Sequence, residues 1–213
     1  NNKGMNVVLD LGANIECSEK NLIDFSEMGA ALYQSLYPND KAKVALLNIG
    51  SEEIKGTELL KSTYSKLKIL DEMGDFKFNG YIEGNHITKG DCNVIVTDGF
   101  TGNIALKTAE GTANFLTDNL KQALSGNIFS KLSSALSYFP LRKFKNKLDP
   151  RKYNGAIFLG LNGPVVKSHG STDALGFSYS LDVCYKIAKG QMINKIKFNL
   201  GHIKNINNEK KQY

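Results

Sequence analysis

The chain has 213 residues, of which 41% are hydrophobic, so it is long and apolar enough for one large or two small domains with a buried core. Its apolar runs, such as 44–47 and 156–159, fall far short of the roughly 20 residues that a membrane-spanning helix needs, and its first residues lack a signal-peptide pattern, so we expect a cytoplasmic globular protein. The formal charge of +6 is mostly confined to residues 131–147 and the C-terminal tail, without a nucleic-acid-binding motif, and we therefore predict no nucleic acid partner.

Two strand–helix pairs are predicted in the first part of the chain. The apolar run 7–9 predicts a buried strand, and Ser18 is the expected N-cap of a helix that ends at Pro38. The stripe on this helix follows helical spacing: Leu22, Phe25, Gly29, Leu32 and Leu36. "KVALLNIG" predicts a second strand, followed by a helix that presents Leu60, Tyr64 and Leu67.

Two more strands and a long helix follow. "FKFNGYIEG" predicts a third, weaker strand and "CNVIVTDG" a fourth, and a helix is expected from Asn103 onward, with Gly111 marking a close approach to the sheet. Apolar strands that alternate with helices are typical of parallel sheets built from βαβ units. The fold class is therefore α/β, with a mainly parallel sheet and helices on both faces.

Glycine and polar residues follow each predicted strand. In open parallel sheets, ligands bind beyond the carboxyl ends of the strands, so these loops are the candidate site. Gly, Asn and Asp also form ordinary turns, but four such loops at one edge favour a binding site. The candidate ligand residues in these loops are Asn14, Gly50, Asp98, Gly99, Thr101 and Gly102.

The fourth loop, "DGFTGN", has the features of an anion site. Gly99 and Gly102 allow close backbone approach, and the following helix supplies free N–H groups and the positive end of its dipole. We expect phosphate to fit at this turn, and the N–H groups of Thr101 and Gly102 to donate to phosphate or to an oxyanion. The usual ATP and dinucleotide fingerprints are missing, so no nucleotide is predicted.

Lys55 and His169 each allow two interpretations. Lys55 either delivers its ammonium to an oxyanion or is a surface lysine paired with Glu52 or Glu53. His169 either contacts the ligand or is a loop histidine ahead of a helix that begins near Ser171. The three cysteines are odd in number and widely spaced, and the histidines lack metal-ligand spacing, so we predict buried free thiols and no metal or other cofactor.

Four segments together resemble the bacterial phosphate acyltransferases, the PlsX family: "VVLDLGANIEC", "VALLNIGSEEIKGTELLK", "VIVTDGFTGNIALKTAEG" and "YNGAIFLGLNGPVVKSHGSTDA". The resemblance implies an α/β/α fold similar to phosphotransacetylase and isopropylmalate dehydrogenase. It implies transfer of a fatty acyl group from acyl carrier protein to inorganic phosphate in phospholipid synthesis. The family's proposed catalytic lysine and asparagine match Lys55 and Asn103. The alternative is a phosphate- or nucleotide-dependent enzyme of the related fold.

The same resemblance implies a homodimer with peripheral membrane contact. It also implies that the chain corresponds to the C-terminal portion of the enzyme, because the family's "DAMGGD" and "SAGNTGA" blocks would precede it. On that basis we expect one sheet edge to be uncovered. The predicted domains are an α/β unit at 1–125 and 150–190, a hairpin at 126–149, and a C-terminal helix with a basic tail at 191–213.

Residues 126–149 predict a protruding amphipathic helical hairpin. Its apolar residues and cations suit packing on the domain or on a second subunit, contact with a membrane surface, or docking of the acidic carrier protein. The residues predicted for this contact are Ile128, Phe129, Leu132, Leu136, Phe139, Arg142 and Lys143.

Overall fold

The computed structural model describes residues 4–74, 76–147, 149–170, 172–194 and 196–198. Its helices are α1 (Glu19–Leu36), α2 (Glu58–Met73), α3 (Gly99–Ser125), α4 (Ile128–Leu136), α5 (Tyr138–Lys147) and α6 (Ala174–Lys189). Its strands are β1 (Val7–Leu9), β2 (Lys43–Leu47), β3 (Lys77–Ile82), β4 (Val94–Val96), β5 (Ala156–Phe158) and β6 (Val165–Lys167). Short 3-10 helices occupy Gly84–His86 and Pro150–Tyr153.

The first four strands form one parallel sheet in the order β1-β4-β2-β3. β4, the last of them in sequence, therefore lies between β1 and β2. The predicted α/β class and the parallel sheet flanked by helices are confirmed. Because the strands are parallel, the loops that follow β1, β4 and β2 leave the sheet side by side at one edge.

The strands alternate between two apolar clusters. Val44 and Leu46 face the large core formed with α1, α2 and α6, whereas Ala45 and Leu47 face a smaller cluster with Ile95. This two-residue alternation explains why the strands read as continuous apolar runs, since both faces of the sheet are covered.

Helix α1 forms and packs as its sequence predicts. Ser18 and Asn21 make a reciprocal capping box, which satisfies N–H groups at the start of the helix. Leu22, Phe25 and Leu32 are buried against the sheet. A Cβ at Gly29 would lie 2.5 Å from Val94 Cγ1, so this glycine lets the helix approach β4 closely.

A second, antiparallel sheet of β5 and β6 was not predicted from the sequence. Ile157 and Val166 of this hairpin pack on the main core, as does the buried Ile187 of α6. The helix expected to begin near Ser171, a residue outside the described part, is α6, which begins at Ala174 with Asp173 as its N-cap.

Helix α3 differs from its prediction in two ways. It begins at Gly99, not Asn103, because the Asp98 side chain accepts a hydrogen bond from the Thr101 N–H and caps the helix. A Cβ at Gly111 would have no atom within 4 Å, so the predicted close approach to the sheet at Gly111 is wrong. Only the two glycines of its first turn, Gly99 and Gly102, are buried.

Beyond its first turn, α3 leads into α4 and α5, whose apolar side chains are largely exposed. Phe115 of α3, Phe129 of α4 and Phe139 of α5 are 67%, 77% and 79% exposed. Among the described residues, none of the helices is both long and apolar enough to cross a membrane.

Candidate functional site

The candidate site lies where β1, β4 and β2 end. β1 is followed by the loop 10–14, β4 by the α3 N-terminus with Asn103, and β2 by the loop 48–56 with Lys55. Since β4 pairs with both β1 and β2, these loops are neighbours at the carboxyl edge of the sheet. The topology therefore brings Lys55, in the loop after β2, next to the N-terminus of α3, where Asn103 lies.

The loop 48–56 is held by Asn48, a buried residue at the end of β2. Its side-chain oxygen accepts from the Ile49 N–H at 2.9 Å, and its amide donates to the Lys55 carbonyl at 3.1 Å. Gly56 has a φ of +93° and lies so close that a Cβ there would be 2.5 Å from Asn48 Oδ1. Asn48 thus fixes both ends of the loop.

The Lys55 side chain lies over Gly50 and is partly exposed. A Cβ at Gly50 would be 2.6 Å from Lys55 Cδ, so glycine leaves the room that the lysine occupies. The Lys55 ammonium is 3.3 Å from a carboxylate oxygen of Glu52, and 46% of the lysine side chain is exposed. Of the two interpretations, the pairing with Glu52 is present, and the ammonium still faces solvent at the sheet edge.

Asp10 organises the loop after β1. One carboxylate oxygen accepts from the N–H groups of Gly12 and Ala13 at 2.9 Å, and the other accepts from the backbone and side-chain amides of Asn14 at 2.7 Å. Burial raises the pKa of the Asp10 carboxyl, but these hydrogen bonds outweigh burial, and the net pKa is lowered. Asp10 is therefore a charged, fully engaged anchor.

Asn103 lies on the exposed side of the α3 N-terminus, against the loop after β1. Its amide donates to the Leu11 carbonyl at 3.2 Å, and a Cβ at Gly12 would be 2.8 Å from the same nitrogen. An amide nitrogen has two hydrogens. Within the described part of the chain, one N–H and the carbonyl oxygen of Asn103 therefore remain available to a ligand.

The backbone donors predicted to bind phosphate are already used. Thr101 N–H donates to Asp98 Oδ1 at 2.8 Å, Gly102 N–H donates to the Asp98 carbonyl at 2.9 Å, and Gly99 N–H donates to the Asn14 carbonyl at 2.9 Å. The prediction that Thr101 and Gly102 offer free N–H groups is therefore wrong, because the Asp98 carboxylate and the preceding loop occupy this end of the helix.

Two other predicted ligand residues have structural partners. The Asn14 side chain donates to Asp10, so its amide belongs to the loop framework. His169 follows β6 of the two-stranded sheet and not a strand of the parallel one. Its backbone N–H donates to Asn154 Oδ1 at 2.9 Å. A direct role for either residue stays a prediction.

The predicted contact residues of 126–149 lie on α4 and α5, apart from the loops of the sheet edge. Ile128 and Leu136 are 76% and 81% exposed, Phe129 and Phe139 are similarly exposed, and the cations Arg142 and Lys143 are exposed as well. The Leu132 side chain lies outside the described residues. This exposure does not fit packing on the domain itself, and it does not choose among a second subunit, a membrane surface and the carrier protein.

Asp10 and Asn48 are the site residues that sequence reasoning missed. Both stand directly after a strand and two positions before a glycine, so they were interpreted as ordinary turn residues. The available signal was that each is a single polar residue ending an apolar run, a position that the fold buries: Asp10 is 7% exposed and Asn48 is 8% exposed.

A profile of the family described as "Fatty acid synthesis protein" matches residues 1–195. The chain belongs to this family. Its relatives include a "Phosphate acyltransferase" of Pelagibacter ubique strain HTCC1062, which is 66% identical over 94% of the chain and 60% of the relative. Proteins with the same printed name from Acidovorax sp. strain JS42 and Parvibaculum lavamentivorans are 43% and 44% identical over 93% and 94% of the chain.

The chain spans about three fifths of the length of these family members, covering 60%, 58% and 55% of them. The family match includes all four strands of the parallel sheet and the loops that hold Lys55 and Asn103. The sheet edge described above is therefore part of what the chain has in common with the phosphate acyltransferases.

Proposed function

We propose that the chain transfers a fatty acyl group from acyl carrier protein to inorganic phosphate, giving acyl phosphate for phospholipid synthesis. The observation that carries this proposal is that Lys55, in the loop after β2, and Asn103, near the N-terminus of α3 after β4, follow neighbouring strands at the carboxyl edge of the sheet. The relatives named phosphate acyltransferase support it.

In the proposed reaction, a phosphate oxygen attacks the thioester carbonyl carbon. The new C–O bond gives a tetrahedral oxyanion, which collapses as the C–S bond breaks. The proton of hydrogen phosphate passes through solvent to the leaving thiolate, so the products are acyl phosphate and the free thiol. No covalent intermediate on the protein is needed, so the chain has to bring two anionic reactants together and stabilise the oxyanion that forms on the carbonyl.

The local charges favour one assignment of roles. The α3 N-terminus is next to the Asp98 and Asp10 carboxylates, which disfavour a phosphate there, whereas Lys55 offers a partly exposed ammonium. Lys55 accordingly binds phosphate from its position over Gly50. The free N–H of Asn103 donates to the thioester oxygen as it becomes an oxyanion.

The test is phosphate-dependent turnover of acyl-acyl carrier protein by the parent chain and three variants. Asn103→Ala should lower kcat/KM by about 10²- to 10³-fold, the range found when one oxyanion-stabilising group is removed, and Lys55→Met should raise KM for phosphate and so also lower kcat/KM. Lys107→Met is the matched control, because this exposed lysine pairs with Glu110 further along α3. No turnover by the parent refutes the proposed activity, and full activity in both site variants refutes the assignment.

A turnover-independent test of the Lys55 role is protection from chemical labelling. Amine acetylation followed by mass spectrometry gives the labelling rate of each lysine. Inorganic phosphate should slow the acetylation of Lys55 and leave that of Lys107 unchanged. Equal rates with and without phosphate would show that Lys55 does not bind it.

The exposed apolar residues of α4 and α5 are proposed as a peripheral membrane contact. Phe129 and Phe139 would enter the interface while Arg142 and Lys143 meet anionic headgroups. Co-sedimentation with phosphatidylglycerol vesicles should exceed that with phosphatidylcholine vesicles, and the double variant Phe129→Ser/Phe139→Ser should abolish it. Unchanged sedimentation of the double variant would refute this contact.

A homodimer and docking of the acidic carrier protein complete the proposal. The exposed apolar side chains of α3, including Phe115 and Leu116, provide a surface for the second subunit. Sedimentation equilibrium should give a dimer for the parent and a monomer for Phe115→Ser.

Arg142→Glu should raise KM for acyl-acyl carrier protein without changing KM for phosphate, because cations steer an acidic partner.

A further inference from the structure

Tyr64 of α2 contacts the loop that presents Lys55. Its hydroxyl donates to Glu53 Oε1 at 2.6 Å, and Lys68, one turn further along α2, is 3.6 Å from the same oxygen. Glu53 is two residues before Lys55, within the turn in which Lys55 N–H donates to the Glu52 carbonyl at 3.0 Å. Helix α2 therefore holds the turn next to the lysine.

The Tyr64 ring is itself fixed by the sheet. It lies edge-on to Phe78, with ring centroids 5.1 Å apart, and tilted against Tyr81 at 4.8 Å, both residues of β3. The hydrogen bond to the Glu53 carboxylate is the largest of the causes that raise the pKa of Tyr64, to about 12, so the hydroxyl stays protonated and remains a donor at neutral pH.

The loop has few other attachments on its outer side. Ile49 and Ile54 are 81% and 82% exposed, so the loop is not held by burial of its large apolar side chains. Asn48 anchors the ends of the loop from inside, as described above, and the Tyr64–Glu53 hydrogen bond anchors its middle from outside. Two polar contacts thus define where the Lys55 backbone lies.

We propose that Tyr64 is a positioning residue for Lys55 and acts through Glu53. Without the Tyr64 hydroxyl, the turn around Glu53 gains freedom, and the Lys55 ammonium spends less time in its position against Glu52 over Gly50. The consequence for catalysis rests on the proposed function and is a higher KM for phosphate. The structural consequence, a more accessible Lys55 amine, holds whether or not the chain turns over.

Two isosteric variants separate this role from general packing. Tyr64→Phe removes the hydroxyl and keeps the ring contacts. Tyr81→Phe is the matched control, because the Tyr81 hydroxyl is buried in the same aromatic cluster and has no hydrogen-bond partner among the described residues. Amine acetylation with mass spectrometry then measures Lys55, with Lys61 of α2 as an internal reference.

In Tyr64→Phe, Lys55 acetylation should rise about two- to tenfold, the factor that corresponds to one net hydrogen bond, while Lys61 stays unchanged. KM for phosphate should rise by a similar factor with kcat little changed, and Tyr81→Phe should match the parent. Glu53→Gln, which keeps an acceptor for Tyr64, should lie between the parent and Glu53→Ala.

An unchanged Lys55 rate in Tyr64→Phe overturns the proposal, as does an equal rise at Lys61 or in Tyr81→Phe. If the parent gives no acyl phosphate, the proposed function fails, but the acetylation rates still decide whether Tyr64 positions Lys55. A raised Lys55 rate with unchanged KM for phosphate would retain the structural effect and overturn its catalytic consequence.

Discussion

Replacing Gly102 by alanine should destabilise the chain, although the change lies inside a helix where alanine is normally preferred. A Cβ at Gly102 would overlap the Asp10 carbonyl oxygen, and it would lie 3.1 Å from the carbonyl carbon and 2.9 Å from Thr97 Cγ2. Ordinary contacts begin near 3.4 Å, so Thr97 would have to retreat by about 0.5 Å and the Asp10 backbone by more. Backbone at the end of β1 cannot rotate out of the way.

The expected magnitude follows from two opposing effects. Overpacking of this kind costs about 1–3 kcal/mol and occasionally more, and the gain in helix propensity from glycine to alanine is about 1 kcal/mol. Because the obstacle here is backbone, we expect a net loss of about 2 kcal/mol. Gly111→Ala in the same helix has no atom within 4 Å of the new Cβ and should gain about 0.5–1 kcal/mol.

The assay is urea unfolding of both variants and the parent, monitored by circular dichroism. The midpoint of each unfolding curve and the dependence of the free energy on urea concentration are fitted together. The paired design removes the helix-propensity effect, since both variants make the same exchange within α3. A Gly102→Ala chain as stable as Gly111→Ala would show that β1 and the first turn of α3 do not approach as closely as described.

Three further stability predictions use the same assay. Asp10→Asn should lower the free energy of unfolding by about 2–3 kcal/mol at pH 7, because it places an amide against backbone donors. Since the folded pKa of Asp10 is lowered, the stabilisation by its charge is present above about pH 4 and is lost as pH falls through the folded pKa. A difference in stability from the parent that does not narrow at acid pH would contradict this prediction. Ser18→Ala should lose about 1 kcal/mol with its capping box, and no loss would mean that the box does not form in solution. Gly29→Ala should lose about 1–2 kcal/mol because a Cβ would lie 2.5 Å from Val94 Cγ1, and a gain would refute this packing of α1 on β4.

The parallel sheet was predictable because each strand is a short apolar run that ends at glycine or a polar residue. The residues Val44 to Leu47 and Val94 to Val96 are buried on both faces of the sheet, and this burial gives a continuous apolar run in the sequence. The β5–β6 hairpin was not predicted, because it is only partly buried: Phe158 and Val165 are 42% and 43% exposed, so burial does not set the pattern of its residues.

From the sequence, single candidate residues of the site could be predicted, but the contacts between them could not. Lys55 stood out because a cation follows a strand at the edge where ligands bind, whereas Asn103 was assigned through the resemblance to the phosphate acyltransferases. The Tyr64–Glu53 hydrogen bond joins residues 11 positions apart on different elements, and no periodicity marks such a pair. Likewise, Asp98 reads equally well as a ligand residue and as a helix cap, and only the structure shows it as the cap.

The capping of α3 also changes where an anion is expected. A helix N-terminus attracts phosphate when its N–H groups are free, but here Asp98 and the Asn14 carbonyl accept from three of them, and the Asp10 carboxylate lies beside the same turn. A phosphate near this turn would meet two like charges, and three of the N–H groups are already used. The neutral amide of Asn103 is then the group at this corner best suited to an oxygen that becomes charged only during the reaction, and the permanent anion belongs with Lys55 on the neighbouring loop.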